Sequence, residues 1–214
     1  MDTALADLRK EYTQQSLDLA DVLPDPIAQF EHWFEAAQKA KVPEPNAMNL
    51  ATVSADGRPA ARIVLLKGIE KGCFLLYTNY ESRKGHDIQR HPYVALTFFW
   101  PELERQVRIE GEATKIDETL STAYFQSRPR GSQLGAWVSP QSQVIADRSV
   151  LDQREQELAE RFDDEKIPRP HYWGGYAVCP YRMEFWQGRP SRLHDRLRYE
   201  RQDDQRWVIE RLAP

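Results

Sequence analysis

Basic residues gather at four places in a chain whose formal net charge is −4. Arg62 stands near Lys67, Arg83 beside Lys84, and Arg128-Pro129-Arg130 is followed by Ser132; Arg192, Arg196 and Arg198 surround His194. Clustered cations repel one another, so a knot kept in an acidic chain asks for an anion. A phosphate monoester, close to a dianion at neutral pH, is held by a guanidinium fork, an ammonium and one or two hydroxyl or backbone donors acting together. Several knots suggest more than one phosphate. Each also has a plainer reading: Arg83-Lys84 as a solvated helix face, residues 128–132 as a charged loop, Lys67 as a lysine emerging from the end of an apolar strand. Context favours the anion, because Ser82 and Arg83 fall at a predicted helix start, where free backbone N–H groups attract negative charge. His194 taken singly is an ordinary surface histidine. If its segment is extended, however, Arg192, His194 and Arg196 share one face, with Leu193 on the other, beside the Trp186-Gln187-Gly188 turn. That arrangement reads as a pocket wall.

These side chains need a scaffold, and the pattern of apolar residues supplies one. Leu5, Leu8 and Tyr12 have helical spacing with little else apolar, which predicts a short, weakly anchored opening helix. Asp25-Pro26 provides an N-cap and first-turn proline for a helix whose Ile27, Phe30, Phe34 and Ala37 form one stripe. Residues 48–53 and 63–66 predict a hairpin around Asp56-Gly57, and further strands are expected at 73–78, 93–99 and 107–115. A short polar helix over 83–89, a helix from Asp117 to Gln126, and another over 151–162 interrupt the strands. Strands at 181–186, 197–200 and 206–212 close the chain, the last two paired across Asp203-Asp204. The expected fold is mainly β with helical insertions (α+β), a small barrel in one domain spanning residues 1–214.

Composition excludes several classes. With 29 Lys plus Arg against 33 Asp plus Glu there is no global basic field for nucleic acid. No apolar run approaches the ~18 residues of a membrane span, and the start lacks a secretory pattern, so a cytosolic protein is expected. No G-x-G-x-x-G follows a strand, against a dinucleotide fold. Cys73 and Cys179 lie far apart with no C-x-x-C and no histidine at metal spacing. Neither a disulfide framework nor a metal site is expected, and both are read as buried structural thiols.

Over nearly its whole length the sequence resembles the pyridoxine (pyridoxamine) 5′-phosphate oxidase family. The resemblance rests on residues 62–67, Tyr77-Thr78-Asn79 with Ser82-Arg83-Lys84, Glu104-Arg105-Gln106-Val107 and Ser127-Arg128-Pro129-Arg130. It continues through Gly135-Ala136-Trp137-Val138-Ser139, Gln141-Ser142, Trp173-Gly174-Gly175, residues 184–188 and 192–196, and Arg211-Leu212-Ala213-Pro214. The resemblance implies an FMN-binding split β-barrel that forms a homodimer with flavin at the subunit interface. By the same match FMN is expected at Arg62, Ile63, Val64, Leu65, Leu66, Lys67, Tyr77, Thr78, Arg83, Lys84, Gln106, Gln141, Ser142, Trp186 and Arg196. The substrate phosphate would meet Lys67, Tyr124, Arg128 and Ser132, while Arg192, Leu193 and His194 would grip the ring. Arg9 and Tyr12 match a segment that folds over the substrate, and a mobile stretch is expected at about residues 1–20.

The implied chemistry is oxidation of pyridoxamine 5′-phosphate or pyridoxine 5′-phosphate to pyridoxal 5′-phosphate, with O2 as final acceptor and H2O2 as product. The cofactor supplies the electronics and the protein supplies alignment, so Arg192 and His194, the catalytic candidates, are cast as orienting residues. Two rivals stay open at this level. A flavin reductase would share the FMN residues but not the second phosphate cluster, and a non-catalytic carrier would share every binding residue.

Overall fold

The computed structural model describes residues 11–163 and 165–214; Arg9, with Leu5 and Leu8, lies outside them. In chain order the elements are α1 (Pro26–Lys39), β1 (Ala47–Val53), β2 (Pro59–Leu65), β3 (Gly68–Glu70), β4 (Cys73–Asn79), α2 (Arg83–Arg90), β5 (Tyr93–Trp100) and β6 (Arg105–Lys115). They continue with α3 (Glu118–Ser127), α4 (Arg130–Val138), α5 (Ser149–Phe162), β7 (Trp173–Gln187), β8 (Asp195–Arg201) and β9 (Trp207–Leu212). The chain is mainly β with helical insertions, as expected. The sheet runs β2-β1-β5-β6-β7-β4-β3, with β8 on β7 and β9 on β8. Among the described residues no helix is long and apolar enough to cross a membrane.

Two compact units emerge. The first comprises residues up to Leu50, Ala95–Gly111 and Pro180–Pro214. Its core forms where α1 lays Phe30, Trp33 and Ala37 against aromatic side chains: Phe30 meets Phe98 at 5.0 Å between ring centroids, and Trp33 meets Phe185 edge-on at 5.2 Å. Asp25 caps α1 by accepting from the Ile27 N–H, and Pro26 occupies the first turn, where no N–H is needed. The second unit comprises Ala51–Val94 and Glu112–Cys179. Here α3, α4 and α5 bury Phe125, Leu134, Val138 and Phe162 around Ile167 and Trp173.

Four elements depart from the sequence reading, the first being β2, which begins at Pro59 and not at 63. Residues 128–132 were expected to be a loop, but the helix α4 begins at Arg130, so Ser132 sits in its first turn and only Arg128-Pro129 links α3 to α4. Strand β7 starts at Trp173, not 181; its first half escaped the sequence pattern because Gly174-Gly175 and Pro180, weak strand formers, occupy it. Those glycines are imposed by close approach: a Cβ on Gly175 would lie 2.4 Å from Ile116 Cδ1, and one on Gly174 2.2 Å from Tyr80 Oη. The three-residue β3 carries too short a pattern to be recognised.

The cysteines also correct an expectation. Antiparallel pairing of β4 with β7 sets Phe74 opposite Val178, and the next step brings Cys73 to Cys179, which are joined as a disulfide with 4.2 Å between Cα atoms. They are not free thiols. Linking residues 106 apart in sequence removes unfolded-chain entropy worth at most about 4–5 kcal/mol. Dithiothreitol, or Cys73→Ser, is therefore expected to lower the urea midpoint of the purified protein by up to that equivalent. Two titratable thiols in the native, unreduced protein would show that the bond is not formed.

Candidate active site

A cavity of about 600 Å³ opens in the second unit, within the ~300–1,000 Å³ typical of cofactor and ligand sites. Strand β2 and the chain beyond it bring Ile63, Val64, Leu65 and Lys67; β4 brings Tyr77 and Thr78, and α2 brings Lys84. The α3–α4 corner adds Tyr124, Arg128 and Ser132, and Gln141 and Trp173 complete the wall. Thus residues far apart in sequence that were assigned to two phosphate clusters share one cavity.

The wall is flat and aromatic on one side. Tyr77 stacks on Tyr124 with 3.8 Å between ring centroids, and Trp173 lies nearly parallel to both. The Arg128 guanidinium sits over the Trp173 ring, 4.6 Å from its centroid, a cation–π contact that leaves the N–H edges free to bind elsewhere. Its Nη1 is buried without a hydrogen-bond partner, and burial opposes its charge. A buried donor of this kind costs about 1–3 kcal/mol unless an acceptor meets it. A phosphate oxygen is such an acceptor.

Lys84 is held differently. Its Nζ donates to Thr78 Oγ1 at 3.0 Å, Ser82 Oγ at 3.2 Å and Gln141 Oε1 at 3.0 Å. These partners are all neutral, and burial, aided by the Arg62 charge, pushes the Lys84 pKa down to about 8. Ser82 is the N-cap of α2, accepting from the Gly85 N–H, as the expected helix start required. Gly85 has no alternative there, since a Cβ would lie 2.1 Å from the Tyr80 carbonyl oxygen.

Arg62 and Arg83 belong to the same unit and lie outside the cavity lining. Arg62 Nη1 donates to Thr52 Oγ1 at 2.7 Å, and Arg83 is near enough that its charge disfavours a charged Arg62. Leu66 is core, and Ser142 is exposed with a left-handed backbone, φ 73°.

The remaining expected residues belong to the first unit. Tyr12, Trp186 and His194 form a ring cluster there, with Trp186 and His194 4.6 Å apart and Tyr12 edge-on to Trp186 at 5.6 Å. A side chain at Gly188 would strike Tyr12, its Cβ lying 2.6 Å from Tyr12 Cγ. Residues 13 and 14 donate their N–H groups to Glu104 Oε2 at 2.9 and 3.2 Å, fixing the chain beside Tyr12. The extended alternation expected for residues 192–196 is not found. Ser191 and Arg192 both adopt left-handed backbone, φ 56° and 61°, and β8 begins only at Asp195. His194 is oriented instead by the Arg189 N–H, which donates to its Nδ1 at 3.1 Å. Burial and the Arg192 charge lower its pKa, which favours the neutral ring, and with Nδ1 accepting, the hydrogen of that ring belongs on Nε2. Leu193 is exposed, and Gln106 lies on β6.

Arg196 pairs with Trp186 across β7 and β8. Its Nε and Nη2 form a fork on Glu184, at 2.9 and 3.1 Å, and its Nη1 donates to the Ala213 carbonyl at 2.9 Å. Glu184, Glu104, Thr52, Asp87 and Trp173 thus support or line the sites, yet were not picked out as functional from the sequence. Glu184, Glu104 and Trp173 stood within the quoted motifs, and there they carried no chemical signal of their own; Thr52 and Asp87 stood outside them.

The second unit's donor set fits a flat, phosphorylated group: stacked aromatic walls, a cation supported by neutral acceptors, and a buried guanidinium nitrogen lacking a partner. Residues 34–161 match the family model described as pyridoxamine 5′-phosphate oxidase, and residues 173–214 match the pyridoxine 5′-phosphate oxidase C-terminal dimerisation region. The pyridoxine/pyridoxamine 5′-phosphate oxidase of Acaryochloris marina is 59% identical over 212 residues, covering 99% of this chain and 96% of that protein. Its counterpart in Burkholderia multivorans is 58% identical over 214 residues, covering 99% and 100%. Among solved structures, PhzG from Burkholderia lata, in complex with tetrahydrophenazine-1-carboxylic acid, has a TM-score of 0.88 at 30% identity, covering 96% of this chain and all (100%) of that one. A pyridoxamine 5′-phosphate oxidase-related, FMN-binding protein from Nostoc punctiforme, 19% identical with a TM-score of 0.70 and covering 93% of this chain and 99% of that one, shares the fold. The fold is the split barrel expected from the sequence, and the chain belongs to the pyridoxine/pyridoxamine 5′-phosphate oxidase family of oxidoreductases.

Proposed function

We propose that this protein oxidises pyridoxamine 5′-phosphate and pyridoxine 5′-phosphate to pyridoxal 5′-phosphate, using FMN and O2. The amine, O2 and water give the aldehyde, ammonia and H2O2; the alcohol and O2 give the aldehyde and H2O2. FMN bound there would supply a two-electron acceptor that O2 can reoxidise, and the residues of this chain would hold and align the two rings. The observation that carries the reading is the pairing, in one cavity, of Lys84 among neutral acceptors with Arg128, whose buried Nη1 lacks a partner above an aromatic wall.

In this reading Lys84, Arg62 and Arg83 hold the FMN phosphate, and Tyr77, Thr78, Gln141 and Ser142 hold the rest of the cofactor. Arg128, Ser132 and Tyr124 take the substrate phosphate, with Lys67 between the two ligands. Arg192 and His194 orient the pyridine ring, while Tyr12 covers it and Trp186, Arg196 and Gln106 complete the flavin site. The protein acts as a homodimer with flavin at the subunit interface, a pairing supported by the match of residues 173–214 to a C-terminal dimerisation region.

Anaerobic addition of pyridoxamine 5′-phosphate to the FMN-loaded protein should bleach the flavin band, and admitting air should restore it with one peroxide per aldehyde. A yellow protein that binds the substrate without bleaching is a carrier, and one reduced only by a nicotinamide is a reductase. Arg128→Ala is expected to raise KM ten- to a hundredfold while FMN is retained, the usual effect of losing a charge-assisted hydrogen bond of about 1.5–3 kcal/mol. Loss of FMN with unchanged KM would reverse the assignment of the two clusters.

The Lys84 pKa gives a further expectation. Binding an anion favours the protonated amine, so the lysine takes up a proton on binding wherever it is neutral in the free protein. Phosphate is already a dianion above pH ~7, so FMN affinity should fall as pH rises through about 8. Fluorescence titrations from pH 7 to 9.5 should show this decline in the parent protein and lose it in Lys84→Met. A decline of equal slope in both proteins assigns it to another group.

A further inference from the structure

We propose that Thr52 and Asp87 form a positioning relay that aims Arg62 at the cofactor phosphate, an inference that rests on the FMN reading of Arg62. Asp87 lies on α2, three residues after Lys84 and four after Arg83, with its side chain turned inward and only 5% exposed. A carboxylate so placed is costly unless it is hydrogen-bonded and balanced by charge. Both needs are met from the β1–β2 hairpin. Thr52, 1% exposed on β1, donates its single hydroxyl proton to Asp87 Oδ2 at 2.7 Å. The Thr52 hydroxyl oxygen in turn accepts from Arg62 Nη1 on β2, also at 2.7 Å, and Arg62 Nη2 stands 3.8 Å from Asp87 Oδ2.

The direction of these bonds matters. Because the hydroxyl proton is committed to a carboxylate, the Thr52 oxygen presents only lone pairs to Arg62, so it fixes one N–H vector of the guanidinium. An unrestrained arginine would lose rotamer freedom on meeting an anion; this one has already been ordered. Charge supports the same conclusion. Arg62, Arg83 and Lys84 are three cations in one cluster, and Asp87 sets a single negative charge beside Arg62. Asp87 therefore offsets the repulsion within the cluster without occupying the whole of it.

The test is a double-mutant cycle read by FMN affinity, from quenching of flavin fluorescence on titration into apoprotein, with thermal melting as a check on folding. Thr52→Val, close in shape to the parent, should weaken FMN binding about tenfold, and Thr52→Ser should restore it. In an Arg62→Ala background, itself weakened ten- to a hundredfold, Thr52→Val should change affinity less than twofold. Asp87→Asn should weaken FMN as Thr52→Val does, and if it fails to fold the threonine cycle decides alone. Equal losses from Thr52→Val with and without Arg62, or no loss in either, overturn the relay. If Arg62→Ala binds FMN normally, the assignment of Arg62 to the cofactor fails first, and the relay with it.

Discussion

Cations that are to receive an anion must be kept together before it arrives, against a repulsion of about 4 kcal/mol for two unit charges 4 Å apart at an effective dielectric near 20. The second unit meets this constraint in three ways. Neutral acceptors surround Lys84, so its position is fixed while its charge stays available. A buried carboxylate stands behind Arg62, reached through a hydroxyl. An indole face lies under Arg128 and stabilises the guanidinium without consuming its N–H groups. In none of these does a carboxylate sit in the cavity lining.

The first unit treats its cations differently. Glu184, buried among guanidinium groups, takes the fork of Arg196 on both oxygens and a further bond from Arg108 at 3.1 Å. Arg192 and Ser191 hold left-handed backbone that costs L-residues roughly 1–2 kcal/mol each, in a turn closed by the Leu193 N–H on the Pro190 carbonyl. Strain of this kind persists only where the surrounding structure over-determines it. It turns Arg192 and His194 out of the strand geometry that simple alternation would give them, and His194 comes to rest against Trp186 and Tyr12.

The basic knots were legible because clustering is itself a one-dimensional signal. Arg83-Lys84 after Ser82 also announces a helix start, which is where the structure puts them. The α1 stripe and most strands were legible for the same reason, since their periods lie within a few residues. The helix α4 was hidden because Pro129 and Gly131 read as a loop, although a proline just before a helix meets no steric objection. The disulfide was hidden because its partners meet only through the register of two strands separated by most of the second unit. Thr52, Asp87 and Glu184 were hidden for a third reason. They touch other candidate site residues, and an ordinary threonine or carboxylate has no spacing that announces such a contact.

The bond between Cys73 and Cys179 also decides what a single cut in the chain would mean. Residues 139–148 carry neither helix nor strand, and Val144 within them is fully exposed (101%), the kind of place where proteases nick. Cleavage there would divide the cavity between two polypeptides, Lys67, Lys84 and Arg128 on one and Trp173 on the other. Yet Cys73 lies before the cut and Cys179 after it, so the pieces would remain one covalent molecule and part only when a reductant is added. A nicked chain would run as intact on a non-reducing gel, and its wholeness would depend on a sulfur–sulfur bond in place of a peptide bond.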